Sequence, residues 1–337
     1  MNIRDIARLA DVTPGTVSKV LNNYPDISEA TRQHVMRIIE EHQYDPKANA
    51  RNTKTVQEWN LIGLVVEGVD NGLYTLMNHM LSIRIHNAGY TIISFHDNYY
   101  VQNKVEKFSE LLAKAERDKF CAMIYIGGNF AEVPQADFDA LPCPTVFINT
   151  VLPLQIRNTR HSSIQVRHFE TGYAQMRFLI EKGHKDICTA ISSEEDNSVY
   201  ANRVNGYRAA LCQAKLEHNL DHFLQGHYRP ELIHPLLLAH LQQHPETTAV
   251  CCVADVMIPG VLRAIHDAGR TAGKDIDVIS FDGLESMAFA IPSVTTFEQP
   301  VHDMINYVDN LLFKLISKEE KHQNMTFTPH FSLRESC

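Results

Sequence analysis

No apolar run in the 337-residue chain approaches the roughly 20 residues that cross a bilayer, which excludes a membrane-spanning helix. The opening, MNIRDIARLADV, carries charges where a signal peptide needs an apolar core, so export is not expected. The seven cysteines are scattered, and no Cys-x-x-Cys pair occurs. Without an export signal they read as reduced cytoplasmic thiols, with Cys251-Cys252 as a buried structural pair. HExxH, GxSxG, a Walker loop and a GxGxxG following a strand are all missing, and no pairing of carboxylates is legible. Enzymatic activity therefore has no support, and no cofactor is expected. His218 and His222 lie four apart, as do His240 and His244, so each pair can share a helix face. Spacing fixes no third ligand, so no metal site is assigned.

What is present is an ordinary globular composition, 44% hydrophobic and 21% charged, long enough for about two domains and a small extra module. The net charge of −9 is unevenly spread. Residues 1–56 hold eight Lys/Arg against seven Asp/Glu, a balance of +1, and the remainder carries −10. A body this acidic is repelled by DNA as a whole, so any DNA contact belongs to a small module at the front.

That front reads as three short helices. Asn2 and Asp5 supply capping signals for a helix with apolar Ile3, Ile6, Ala7, Leu9 and Ala10. Asp11-Val12 breaks it. Thr13 caps a second helix with Pro14 at its first position and an inner face of Val17, Val20 and Leu21. Asn22 to Asp26 is turn material. Ser28 caps a third helix with Val35, Ile38 and Ile39 inside. This matches a helix-turn-helix plan, with a small structural three-helix bundle as the lesser alternative on pattern alone.

Residues 45–58 are polar and read as a linker. Beyond them strand and helix alternate. LIGLVV (61–66), TIISF (91–95), CAMIYI (121–126) and PTVFI (144–148) form one series of strands. SSIQV (162–166), ICTAIS (187–192), AVCCV (249–253) and IDVISF (276–281) form a second. Runs without alternation are expected of strands buried on both faces. Helices are expected from about Leu73 to Asn87, ending at Gly89, and up to Lys182, ending at Gly183. The fold class that follows is a small all-α helix-turn-helix head plus an α/β core of two doubly wound parallel-sheet lobes, with a ligand cleft between them.

IRDIARLADVTPGTVSKVLNN, ISEATRQHV and YDPKANAR resemble the amino-terminal signature of the lactose-repressor/galactose-repressor (LacI/GalR) family of bacterial transcription regulators. The likeness continues in order through IGLVV, NGLY, EKGHKDI, RVNGYRAAL, VISFDG and RES. It implies a head at 1–45, a hinge at 46–59 and a periplasmic-binding-protein-like core at 60–337 for effector binding and dimerisation. The first lobe is expected at about 60–160 plus 301–328, and the second at about 161–300 plus the tail.

The resemblance further implies a homodimeric repressor of near-palindromic operator DNA, controlled by a small carbohydrate-like effector and working in the cytoplasm at the nucleoid. The implied DNA-reading positions are Thr13, Pro14, Gly15, Thr16, Ser18, Lys19 and Asn22, with Lys19 as the main base reader. Pro14-Gly15 departs from the longer side chains usual there, so shape readout is expected at those bases. In the hinge, Arg51 and Lys54 would hold DNA charge. Thr53 stands where the family places a minor-groove leucine. The implied effector contacts are Asn71, Tyr74, Asn149, Arg203, Tyr228, Asp255, Asp282 and Gln299. Planar donors, carboxylate acceptors and aromatic faces suit a polyhydroxylated ring. Ala254 replaces a usual asparagine, and Arg167-His168-Phe169 replaces a Val-Asp-Asn type stretch. No heptad tail for tetramers follows RES. Two other readings stay open at this point: a global regulator answering to a phosphorylated carrier protein, and, from another class, a solute-binding protein or sugar enzyme.

Overall fold

In the computed structural model, the description covers residues 3–21, 27–42, 60–67, 71–97 and 104–337. The chain divides into two compact units, Met1–Trp59 and Asn60–Cys337.

The first unit contains α1 (Ile3–Leu9), α2 (Pro14–Leu21) and α3 (Glu29–Glu41). Asp11 adopts a left-handed φ of 52°, and the Val12 amide returns to the Ala7 carbonyl at 2.9 Å. This closes α1 as helix ends commonly close and reverses the chain into α2. Ser28 caps α3, its hydroxyl accepting from the Thr31 amide at 3.2 Å. Ile6, Ala7, Ala10, Val17, Val20, Val35, Ile38 and Ile39 are buried together. Leu9, counted in the apolar stripe of α1, instead faces outward at 47% exposure.

The second unit is built on two six-stranded sheets. The strands are β1 (Leu61–Glu67), β2 (Thr91–Asp97), β3 (Ala122–Ile126), β4 (Thr145–Ile148), β5 (His161–Val166), β6 (Ile187–Ile191), β7 (Phe223–Gln225), β8 (Ala249–Cys252), β9 (Asp277–Asp282), β10 (Thr295–Glu298), β11 (Asn324–Phe327) and β12 (His330–Ser332). The first sheet runs β2-β1-β3-β4-β5-β11 and the second β7-β6-β8-β9-β10-β12. The two lobes thus repeat one doubly wound order. All pairings are parallel except β10 with β12.

The expected boundary near position 160 is corrected by β5. Its residues read as the start of the second series, yet they pair with β4 and β11 in the first sheet. The first lobe therefore runs through Val166. The chain crosses between lobes three times: after β5, after β10, and between β11 and β12.

The helices are α4 (Gly72–Asn87), α5 (Lys104–Asp118), α6 (Gln135–Asp139), α7 (His168–Glu181), α8 (Val199–Gln213), α9 (Pro230–Gln243), α10 (Ile258–Asp267) and α11 (Val301–Ile316). After the second crossing, α11 returns to the first lobe, where Asp309 faces Arg84 of α4 at 3.8 Å. Helices α7 and α8 touch at their backbones. A Cβ on Gly172 would lie 2.4 Å from the Arg203 carbonyl oxygen, and one on Gly206 would lie 2.4 Å from that of Phe169. Only glycine permits this approach, and it presses Arg203 against the lobe interior. No helix among the described residues is long and apolar enough to cross a membrane.

Candidate functional site

Two places concentrate the polar residues singled out above. On the first unit, the face of α2 opposite buried Val17 and Val20 presents Gly15, Thr16 and Lys19, with exposed Thr13 just before the helix. Thr13 Oγ1 accepts from the Thr16 amide at 3.2 Å, and the two threonine hydroxyls are 3.0 Å apart. Gly15 leaves this face open, since among the described residues an added Cβ would meet only Thr13 Oγ1, at 3.7 Å. Lys19 lies one turn further on the same face. The side chains of Pro14 and Ser18, and all of Asn22, Arg51, Thr53 and Lys54, lie outside the described residues.

The second place is the seam between the lobes. In doubly wound sheets, ligand sites form beyond the carboxyl ends of the strands. Asn149 follows β4, Asp255 follows β8, Asp282 ends β9 and Gln299 follows β10. The fold joins three of these. Asn149 Nδ2 donates to Gln299 Oε1 at 2.9 Å, and Gln299 Nε2 donates to Asp282 Oδ1 at 2.8 Å. Arg203 of α8 donates to the same Asp282 oxygen at 2.9 Å, to the Val253 carbonyl at 2.7 Å and to His168 Nδ1 at 3.2 Å. Its guanidinium lies over the rings of Phe281 at 3.5 Å and Tyr200 at 4.3 Å. Arg203 heads the fully buried side chains in size.

The charges here are out of water. Burial lifts Asp282 above the usual carboxylate range, against the pull of Arg203. Burial, reinforced by the Asp282 charge, pushes Asp255 up to about 7. Asp255 accepts from the Leu284 amide at 2.7 Å and from the Thr296 hydroxyl at 3.3 Å, so both its oxygens are engaged. His168 is held neutral well below its ordinary range, by burial and by the Arg203 charge. Since His168 Nδ1 accepts from Arg203, its proton sits on Nε2, which is buried without a partner. Asn149 Oδ1 is likewise buried and unpartnered. Asn149, Tyr228 and Asp282 also have positive φ values of 47°, 59° and 118°. Strain of this kind in non-glycine residues collects at functional sites.

Toward the mouth, Asn71 caps α4, with Oδ1 accepting from the amides of Leu73 and Tyr74 at 3.0 and 3.4 Å. Its Nδ2 donates to the Tyr200 hydroxyl across the seam. Tyr200 packs against Tyr74 and Tyr228, at ring separations of 6.3 and 5.1 Å. The Tyr228 hydroxyl donates to Asp196 at 2.5 Å. Asn129, past β3, donates to the Asn197 carbonyl of the other lobe. Beside these contacts is a cavity of about 420 Å³ lined by Ala131, Val151, Leu152, Leu154, Gln165, Val199 and Asn202, within the size range of ligand pockets. None of the eight expected contact residues lines it.

Residues 2–47 match the family described as bacterial regulatory proteins, lacI family, and residues 176–337 match a periplasmic binding protein-like domain. The transcriptional repressor PurR of Histophilus somni (strain 129Pt) is 30% identical over 338 residues, covering 99% of this chain and 98% of that protein. The chain belongs to the lacI family of bacterial regulatory proteins. The transcriptional regulator MalR of Clostridium butyricum is 29% identical, covering 100% of this chain and 99% of that protein. Among solved structures, a CelR–cellobiose complex aligns at a TM-score of 0.68 and 23% identity, covering 100% of both chains. A lac repressor dimer bound to operator and an anti-inducer aligns at 0.69 and 20%, covering 100% of this chain and 98% of that one. These two establish the shared fold.

The chain is therefore a helix-turn-helix transcriptional regulator with a two-lobed receptor core, and its relatives are regulators, not enzymes. Of the eight expected cleft residues, Asn149, Arg203, Asp282 and Gln299 form one bonded network. Asn71, Tyr74 and Tyr228 gather around Tyr200, and Asp255 braces the loop after β9. Tyr200 and His168 of this regulator escaped the sequence reading. Tyr200 lies one turn before Arg203 on the same helix face, and His168 sits inside the noted Arg167-His168-Phe169 departure. A buried Glu67 at the end of β1, bonded to Lys107 Nζ and the Tyr125 hydroxyl, each at 2.9 Å, was missed as well.

Proposed function

We propose that this regulator is a homodimeric repressor whose hold on operator DNA is set by a small polyhydroxylated effector taken up between the lobes, and that it works in the cytoplasm at the nucleoid. One observation carries the reading. The polar groups at the strand ends are buried and bridge the two lobes through Asn149–Gln299 and Asn71–Tyr200. A ring bearing hydroxyls can both donate and accept, so it can replace these bonds and meet Asn149 Oδ1 and His168 Nε2, two of the buried atoms without a partner. Binding then exchanges lobe-to-lobe bonds for lobe-to-ligand bonds and shifts the balance between lobe arrangements. It acts only through its differential affinity for them.

On the DNA side, Thr13, Gly15, Thr16 and Lys19 present one face, which supports α2 as the reading helix; Pro14, Ser18 and Asn22 are assigned to the same contact on the family resemblance. Arg51, Thr53 and Lys54 are assigned to the hinge contact on the family resemblance. Phe289 and Ile291, 78% and 94% exposed in the loop before β10, offer apolar surface that a second copy can cover.

The test joins two measurements. A gel shift on DNA upstream of the regulator's own gene, at about 100 mM salt where phosphate contacts still hold, is expected to show a specific complex. A thermal-shift screen with sugars, sugar phosphates and nucleosides is expected to yield a hit, since a ligand stabilises the state it binds. That hit should weaken in Asn149→Ala and Tyr200→Phe. A hit unaffected by both changes places the effector elsewhere, and absence of a specific shift with folded dimer overturns the repressor reading.

A further inference from the structure

The two histidine pairs that spacing alone left unconnected meet in the fold. The 3-10 turn Glu217–His222 ends beside the carboxyl end of α9. There the rings of His222, His240 and His244 form a near-equilateral triangle, with centroid separations of 4.8, 4.7 and 4.6 Å. His218 stands 6.5 Å from His222. Three imidazoles around a tetrahedral ion, each with a nitrogen about 2.0–2.1 Å from it, have centroids separated by roughly 5 Å. The ring centroids therefore have the spacing of a liganded set.

Other features agree. His222 Nδ1 is buried with no hydrogen-bond partner. The carboxylate of Glu246 lies 3.1 Å from His244 Nδ1, a common outer partner for a ligating histidine. The rings are not yet converged. His240 Nε2 is bonded to Thr247 Oγ1 at 3.1 Å, the His240 and His244 rings lie 24° apart, and, as the side chains stand, no group of three His, Cys, Asp or Glu among the described residues is placed to hold a metal ion. His222 and His244 are only partly buried, and a common point is reached by turning these two rings.

We propose that His222, His240 and His244 form a binding site for a nitrogen-preferring transition-metal ion such as zinc, with His218, Glu246 or water as the fourth ligand. The ion ties the turn before the edge strand β7 to the end of α9. The site is separate from the effector seam.

The test uses the full-length regulator stripped with chelator and titrated with zinc chloride by calorimetry, with cobalt(II) absorption reporting tetrahedral nitrogen coordination. One ion per chain is expected at micromolar affinity or tighter, with a rise in melting temperature. His222→Gln and His244→Gln, both partly exposed, leave the fold intact and should each weaken binding by about 10-fold or more. His234→Gln, elsewhere on α9, serves as the control and should change nothing. Failure to bind zinc below about 100 μM, or equal binding by the His222→Gln/His244→Gln double variant, overturns the proposal.

Discussion

Replacing Arg203 by methionine keeps much of its length and removes its charge. The change deletes three donated hydrogen bonds and leaves Asp282, next to Asp255, as a carboxylate without its cation inside the lobe. Breaking a buried pair from one side costs about 3–5 kcal/mol, because the stranded charge remains desolvated. At about 2–4 °C per kcal/mol for a unit of this size, the melting temperature falls by roughly 6–20 °C. Asp282→Asn alone also destabilises. The double variant, which strands nothing, should recover a large part of the loss, so the double-mutant cycle in urea unfolding at pH 7.5 gives a coupling well above 1 kcal/mol. A second signature is the pH dependence of Arg203→Met. Without the guanidinium, Asp282 takes up a proton more readily, so the deficit narrows as pH falls toward 5. A loss below about 1 kcal/mol, simple additivity, or a deficit unchanged with pH would each refute the claim that this pair is buried and interdependent.

Other outcomes follow from the same physics. Gly206→Ala places a Cβ 2.4 Å from the Phe169 carbonyl oxygen and 2.5 Å from the Tyr173 nitrogen. Since neither backbone group can swing aside, a cost of about 1–3 kcal/mol is expected in chemical unfolding. His161 packs on Phe138 with both ring nitrogens unpartnered, and burial, then His322, hold it down to about 4. Its folded pKa is depressed, so the fold should lose about 3 kcal/mol as pH drops from 6.5 to 4. His161→Leu should lose that much less over the same range, measured by unfolding at several pH values. Lys19→Ala should weaken binding to operator by about 1–3 kcal/mol and to random DNA by much less, read from titrations at fixed salt. Equal losses on both would reduce Lys19 to a phosphate contact.

The head was legible because its signals are local: Thr13 and Ser28 as caps, and buried Val17, Val20, Val35, Ile38 and Ile39 at helical spacing. The inner strands were legible as β-branched runs buried on both faces. The edge strands were not. NMTF of β11 and HFS of β12 are half exposed, and β7 is three residues long, so no hydrophobic pattern marks them. Strand β5 was seen and put in the wrong lobe, because the rhythm of strand and helix does not say which sheet accepts a strand. The cleft is non-local in the extreme, with Asn149 and Gln299 separated by 150 positions and Arg203 and Asp282 by 79. No spacing rule reaches so far, and the resemblance alone nominated those residues. The convergence of His222 with His240 and His244 was hidden for the same reason.

The way the chain alternates between lobes has a consequence for biosynthesis. Each sheet receives its final outer strand from the stretch 324–332. A ribosome therefore exposes the three-helix reader early, whereas neither half of the receptor can be finished until that late stretch emerges. A message broken or terminated before Asn324 yields a product with a complete reader and two defective sensing halves. Such fragments should be recognised by proteolysis as misfolded, rather than persist as regulators deaf to their signal.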